Sequence, residues 1–247
     1  MSNASACIRN WRDPDAYVGH DSAVVFPILS ARSENSDDPY ACLENFQSLT
    51  WHAVQGGQKS DFHHHQGREQ YYYILSGTGE VLINDQRYPV REGTAAYFPP
   101  EIDHQLFSDS ENDFLEHLVI TSAVDRKDSQ PCVVNWRESL PQDEGHGDCI
   151  RWRLLSAIDG KNQIDQACLL RTHFLGRQAL VKGKSSNMHK HDQMEQLYYI
   201  LKGHATMLIN DEPHRLVEGD VAYLPRGTFH KIINEDYDGW LSYLVIS

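Results

Sequence analysis

A chain of 247 residues is long enough to bury one large core or two smaller ones, and at 40% hydrophobic and 23% charged it has the balance of a folded protein. Its formal net charge of -13 argues against a nucleic-acid or acidic-membrane partner, since both need clustered Lys and Arg. The five cysteines, Cys7, Cys42, Cys132, Cys149 and Cys168, form no C-x-x-C pair, which favours neither a disulfide scaffold nor a structural zinc site.

In chain order, short runs rich in Tyr, Val, Ile and Leu predict strands over 70–75, 80–83, 95–98 and 116–120. Turn signals separate them: Gly77-Thr78-Gly79, Asn84-Asp85 and Glu92-Gly93. A charged stretch at 125–129 precedes Pro131, and 135–140 predicts one helical turn. The strand pattern then restarts, with turns at Gly203, Asn210-Asp211 and Glu218-Gly219. Many short, evenly spaced strands predict an all-β sandwich or barrel. No apolar run of 18 residues is present to span a membrane, and no charged start leads into an apolar signal segment. The expected location is cytoplasmic.

The restart is a duplication at an offset of 126 residues. Leu82-Ile83-Asn84-Asp85 returns unchanged as Leu208-Ile209-Asn210-Asp211, and Ala41-Cys42-Leu43 as Ala167-Cys168-Leu169. Between Gly57 and His104, 21 of 48 positions match their counterparts without a gap. Asn10-Trp11-Arg12 also recurs, at offset 125, as Asn135-Trp136-Arg137. The expected modules are therefore 1–125 and 126–247.

The duplication singles out eight side chains. His63, His65 and Glu69 recur as His189, His191 and Glu195, and a further histidine, His104 or His230, lies 35 residues past each glutamate. Side chains two apart on a strand share a face, so His63 and His65 point one way. Glu69 keeps the same even spacing, and His104 arrives from another strand after the turn at Pro99. Intervening residues have diverged (His64 is replaced by Lys190) while these four types persist. Three imidazoles and a carboxylate suit a divalent transition metal, Fe, Mn, Ni, Co, Cu or Zn. Two ions per chain are expected, each with positions left open for water, dioxygen or substrate.

With these motifs the chain resembles the cupin superfamily, as a bicupin. Gly57-x5-His63-x-His65-x3-Glu69 with Gly77, and Gly183-x5-His189-x-His191-x3-Glu195 with Gly203, resemble the first cupin motif. Gly219, Pro225, Gly227, His230 and Asn234 match the second. The first module keeps Gly93, Pro99 and His104 but carries Glu101 and Ser108 in place of the glycine and asparagine. The resemblance implies two tandem jelly-roll β-barrels (double-stranded β-helices), each with a metal inside. It is weak evidence of reaction, because one fold hosts many functions.

Further candidates come from positions where the copies differ or where aromatics share the glutamate's spacing. Arg171 and His173 replace Asn45 and Gln47; an inward face would let Arg171 anchor a carboxylate and His173 act as acid or base. Tyr73 and Tyr199, which share that spacing, and Tyr97 and Tyr223, which sit two residues before the motif proline, are candidate substrate contacts, with core packing as the alternative. Glu69 and Glu195 are candidate ligands that double as bases. The leading expectation is a metal-dependent dioxygenase-type oxidoreductase acting on a small oxygen-rich or acidic molecule, as in similar cupins. The alternatives are a redox-neutral decarboxylase, isomerase or lyase, and a non-catalytic small-molecule binder. Exposed strand edges make a homodimer a further expectation.

Overall fold

The computed structural model describes residues 5–33, 36–109, 113–143, 145–160 and 166–247. Among these the chain is built of strands, with a single 3-10 turn at Trp136–Glu138 as the predicted helical segment. Each module is a jelly roll of two sheets. In the first, Arg68–Ser76 lies between Thr94–Phe98 and Phe114–Ala123 in the large sheet, opposite a smaller sheet in which Thr78–Ile83 pairs with His104–Ser108 and Gln86–Arg91. The second module repeats this with Gln196–Lys202 between Asp220–Leu224 and Leu241–Ile246. The two-residue turn Asn84-Asp85 closes one hairpin and Asn210-Asp211 the other, as their residue types require.

Three apolar cores follow from strand alternation. Tyr72 and Ile74 turn into the first barrel, and Tyr198 and Ile200 into the second. The alternate residues, Tyr71 and Tyr73 with Leu197 and Tyr199, meet in a third core shared by the two large sheets. Both faces of these strands are therefore buried, which explains their near-continuous apolar reading.

The modules also exchange one strand each. Cys7–Asn10 pairs with Asp220–Leu224 in the second module's sheet, and Cys132–Asn135 pairs with Thr94–Phe98 in the first. The Asn-Trp-Arg repeat fixes these exchanged strands. Asn135 Nδ2 donates to the Glu92 carbonyl and to Thr94 Oγ1, both at 3.0 Å, and Asn10 Nδ2 donates to Asp220 Oδ1 at 2.8 Å. Trp136 then covers Gly93 and Trp11 covers Gly219, two glycines in the left-handed region at φ 84° and 89°. The halves 1–125 and 126–247 are thus copies in sequence, while each large sheet takes a strand from the other half.

A Cβ at Gly93 would stand 2.1 Å from Trp136 Cδ1. Gly93→Ala is expected to destabilise by about 3 kcal/mol through the left-handed φ and the displaced indole, lowering the Tm by roughly 5–10 °C. Gly57→Ala is the control: its φ is 72° but nothing lies within 4 Å of its Cβ. Equal Tm losses in the two variants would show that the Trp136 contact contributes nothing.

Candidate metal centres

The histidines sit on segments that leave one sheet and touch the other. His63 and His104 exchange backbone hydrogen bonds of 3.2 and 2.8 Å as an isolated bridge, and His189 and His230 do the same at 3.1 and 2.8 Å. The turn after the next strand closes onto the second histidine of each pair: the Glu101 amide donates to the His65 carbonyl and the Gly227 amide to that of His191. Glu101 takes the left-handed φ of 66° that Gly227 adopts at 79°, so the substituted first-module motif keeps its turn.

These constraints bring His63, His65 and His104 together, and separately His189, His191 and His230, with ligand atoms within 4.8 Å of one another in each group. Nδ1 of His104, His189 and His230 is 2.9–3.0 Å from the carbonyl two residues before it, and Nδ1 of His63 is 3.2 Å from that of Asp61. Donating from Nδ1 fixes the tautomer and leaves the Nε2 lone pair to point inward. The six Nε2 atoms of the two triads are buried without a hydrogen-bond partner. A convergent set of orphaned imidazole nitrogens is what a metal ion would satisfy, so the residues fit the expected cofactor. Burial disfavours the charged form in His65, His104 and His230: it pushes the pKa of His65 down to about 4, with the charge of His63 next, that of His104 to about 3, and that of His230 to about 4. Burial, followed by His189, also lowers that of His191.

The glutamates do not join them, and the expectation of Glu69 and Glu195 as ligands is corrected. Gln66-Gly67 forms a turn before Arg68–Ser76 begins, so spacing counted from His65 does not carry into the strand. Glu69 falls on the face that looks at the other module. Its carboxylate accepts from the amides of Leu170, Arg171 and Thr172 at 2.7–3.0 Å, from Thr172 Oγ1 and from the Tyr97 hydroxyl. Glu195 mirrors this with the amides of Glu44, Asn45 and Phe46 and the Tyr223 hydroxyl. Carboxylates so engaged hold the modules together and are not placed to act as metal-bound bases.

The neighbouring residue faces the barrel instead. Gln70 and Gln196 are buried, and the Oε1 atom of each has no partner. Gln70 Nε2 donates to Thr121 Oγ1 at 3.2 Å, which turns its oxygen the other way, and the side chain comes within hydrogen-bonding reach of His65. Gln196 lines a cavity with His191. Sequence reasoning passed over both glutamines although they are identical in the two copies; counting alternation from Tyr72 backwards, and not from His65 forwards, would have found them.

The other candidates divide. Tyr73 and Tyr199 lie in the core between modules, not in the metal cavities, and the Tyr73 hydroxyl is 3.4 Å from Arg177 Nη1. Tyr97 and Tyr223 lie in that core too, bound to the glutamates. Tyrosine and glutamate share a face of the strand, and that face looks at the interface between modules. Arg171 and His173 sit before strand Phe174–Leu180 and not on it. Arg171 is exposed and donates to Asn45 Oδ1 at 2.8 Å, beside a cleft of about 300 Å³ that lacks the triad. His173 does reach a cavity beside the second triad, a space of about 580 Å³ lined also by Arg151, Arg153, His146, Gln178, His191 and Gln196.

The two barrels therefore differ around matching triads. Strand Ile150–Ala157 presents Arg151 and Arg153 where the first module has Val25 and Pro27. Burial, followed by the charge of Arg151, holds the Arg153 pKa below its usual range. Burial, and then the same arginine, pushes that of His146 down to about 4. In the first module His52 and His117 occupy the positions of Gln178 and Tyr243. Their rings are 5.3 Å apart, His117 is 4.9 Å from Tyr72, and His20 is 5.1 Å from the ligand His63. Guanidinium groups line the cavity beside the second triad, whereas the imidazoles of His20, His52 and His117 gather beside the first.

Comparison with known proteins agrees with this architecture. A family model described as the cupin domain matches residues 50–120 and again 176–247. An uncharacterised protein of Methanocaldococcus jannaschii is 35% identical over 60 residues, covering 24% of this chain and 48% of that one. The oxalate-binding protein of Thermotoga maritima is 29% identical over 89 residues, covering 33% of this chain and 74% of that one. The chain thus spans about half the length of the first and about three quarters of the second. A structure of Bacillus subtilis oxalate decarboxylase, studied for its Mn(II) centres, superimposes with a TM-score of 0.71 at 14% identity over 97% of this chain and 76% of that one. With two matched regions that together span more than half its length, each folded as a jelly roll around a histidine triad, the chain belongs to the cupin domain family.

Proposed function

We propose that the second barrel is a metal-dependent catalytic site for a small carboxylate. The observation that carries this reading is the cavity of about 580 Å³ whose wall places Arg151 and Arg153 beside His191 and Gln196. Guanidinium groups match carboxylates in geometry and charge. His173, exposed at the same cavity, is the candidate proton donor or acceptor. A divalent ion on His189, His191, His230 and Gln196 would supply a Lewis acid. Those four donors are neutral, so none offsets the ion's charge. An ion left with its full charge polarises a bound carboxylate strongly, which suits a redox-neutral decarboxylase, isomerase or lyase, with the dioxygenase expected from the sequence as the second reading.

Relatives suggest where to begin. One is named for binding oxalate and another for decarboxylating it, with manganese in the second. Oxalate, malonate and related short acids, with Mn(II), are therefore the first substrates and ion to test. Binding to the Mn-loaded chain should occur and fall at least tenfold in Arg151→Gln. Product should form at the same rate with and without dioxygen. Oxygen uptake coupled to product would support the dioxygenase reading; binding without turnover would support a binding protein; failure of every short carboxylate to bind would overturn the substrate class. Elemental analysis gives the metal arm separately: two ions per chain in the parent and one in His191→Ala.

A further inference from the structure

The cysteines form two matched pairs across the join between modules. Cys7 Sγ lies 3.6 Å from Cys42 Sγ. Cys7 begins the exchanged strand in the second module's sheet, opposite Tyr223, whereas Cys42 lies on Ala41–Leu43, paired with the first module's Ala23–Ala31. The duplicate does the reverse. Cys132 begins the strand exchanged into the first module's sheet, opposite Tyr97, and its thiol neighbours that of Cys168 on Ala167–Leu169 closely enough for each to be the main influence on the other's pKa. In each pair one thiol is buried in the shared core and the other is partly exposed at its edge. The fifth cysteine, Cys149, is buried in the second barrel, 3.2 Å from the Tyr243 hydroxyl.

We propose that Cys7–Cys42 and Cys132–Cys168 are thiol pairs that oxidise to two disulfides, each tying an exchanged strand, across the join, to the half of the chain it comes from. Thiol separation at one join, duplication of the arrangement at the other, and an accessible sulfur in each pair point to this together. The accessible thiol attacks first. Cys7 and Cys132 are the partly exposed members of their pairs, and the charge of Arg9 favours the thiolate at Cys7, so these are the better nucleophiles. With a small disulfide as oxidant, the Cys7 thiolate displaces one half of the reagent as a thiolate and forms a mixed disulfide. Cys42 then loses its proton and displaces the other half. Per staple, two thiol protons and two electrons leave the protein, and one reagent disulfide becomes two thiols. Hydrogen peroxide serves the same balance, ending as two waters.

The staples would lock the joins already held by the glutamates, since Cys42 neighbours Glu195 and Cys168 neighbours Glu69. Their formation should not depend on metal loading or on any substrate.

The test is thiol titration of the full chain in denaturant, before and after exposure to oxidised glutathione, with peptide mapping under non-reducing conditions. Five free thiols should fall to one, with links 7–42 and 132–168 and no intermolecular product. The Tm should rise on the order of 10 °C and return on reduction. Cys7→Ser should leave two free thiols after oxidation, and Cys7→Ser with Cys132→Ser should leave three and abolish the Tm rise. Five thiols surviving oxidant in the folded protein, or links other than these two, would overturn the proposal.

Discussion

Replacing Glu195 with Ala is expected to lower the Tm by roughly 10 °C while leaving two metal ions per chain. The carboxylate is 1% exposed and accepts from three backbone amides of the opposite module and from the Tyr223 hydroxyl. Truncation strands those donors in a dry interface. Each buried unsatisfied donor costs about 1–3 kcal/mol, and partial relaxation brings the sum to about 3–5 kcal/mol. At about 2–4 °C per kcal/mol for a chain of this size, the shift is large and measurable by calorimetry. Glu69→Ala should behave alike, since its carboxylate is 0% exposed and holds residues 170–172 in the same way. Gln196→Ala should do the opposite. It removes a barrel-facing oxygen with no partner in the metal-free protein, so metal affinity at the second site falls while metal-free stability changes little. If Glu195→Ala lost an ion and kept its Tm, the carboxylate would be a ligand and the assignment of Gln196 would fail.

The same pair of residues marks how far the sequence could be read. Internal comparison gave the duplication, the hairpin turns and both histidine triads, because identical residues at a fixed offset need no knowledge of packing. It failed at Glu69 because the rule of alternating faces holds only within one strand, and the turn at Gln66-Gly67 restarts the count. Conservation between copies was also ambiguous: Glu69 and Gln70 both persist, one for the interface and one for the barrel. A strand buried on both faces offers no polar side to tell them apart. Strand exchange was legible only as an unexplained Asn-Trp-Arg repeat. The cavity arginines were hidden differently. Arg151 and Arg153 have no counterpart in the first module, so a search for what the copies share passes over them. The difference at those two positions was itself the signal, and it needed the structure to show that they line one cavity with His191 and Gln196.

Acid should unfold the metal-free protein well before its carboxylates titrate. Burial, ahead of all other causes, pushes the pKa of His104 and His117 down to about 3 and that of His65, His146 and His230 to about 4. In the unfolded chain each imidazole titrates near 6.5. Between those values the unfolded state binds more protons than the folded one, so stability falls as pH falls. The contribution is fully present above about pH 6.5 and is lost progressively as pH drops towards 4 and below. The three fully buried groups, His104, His117 and His230, each add up to about 1.4 kcal/mol per pH unit to the slope, about 4 kcal/mol per unit together, and the partly exposed His65 and His146 add less because solvent screens them. Asp61 and Glu92, whose pKa values lie below the carboxylate norm, lose their stabilising charge only at still lower pH, so the window from 6.5 to 4.5 isolates the histidines. Urea midpoints measured across that window on chelator-treated protein should fall steeply. His117→Gln should flatten the slope by about one group without removing an ion, since His117 is outside both triads. Saturating metal should displace the loss to lower pH, because the ion binds only the neutral, folded rings. A midpoint constant from pH 7 to 4.5 in the metal-free protein would mean that the barrels admit protons freely and that burial does not hold these imidazoles neutral.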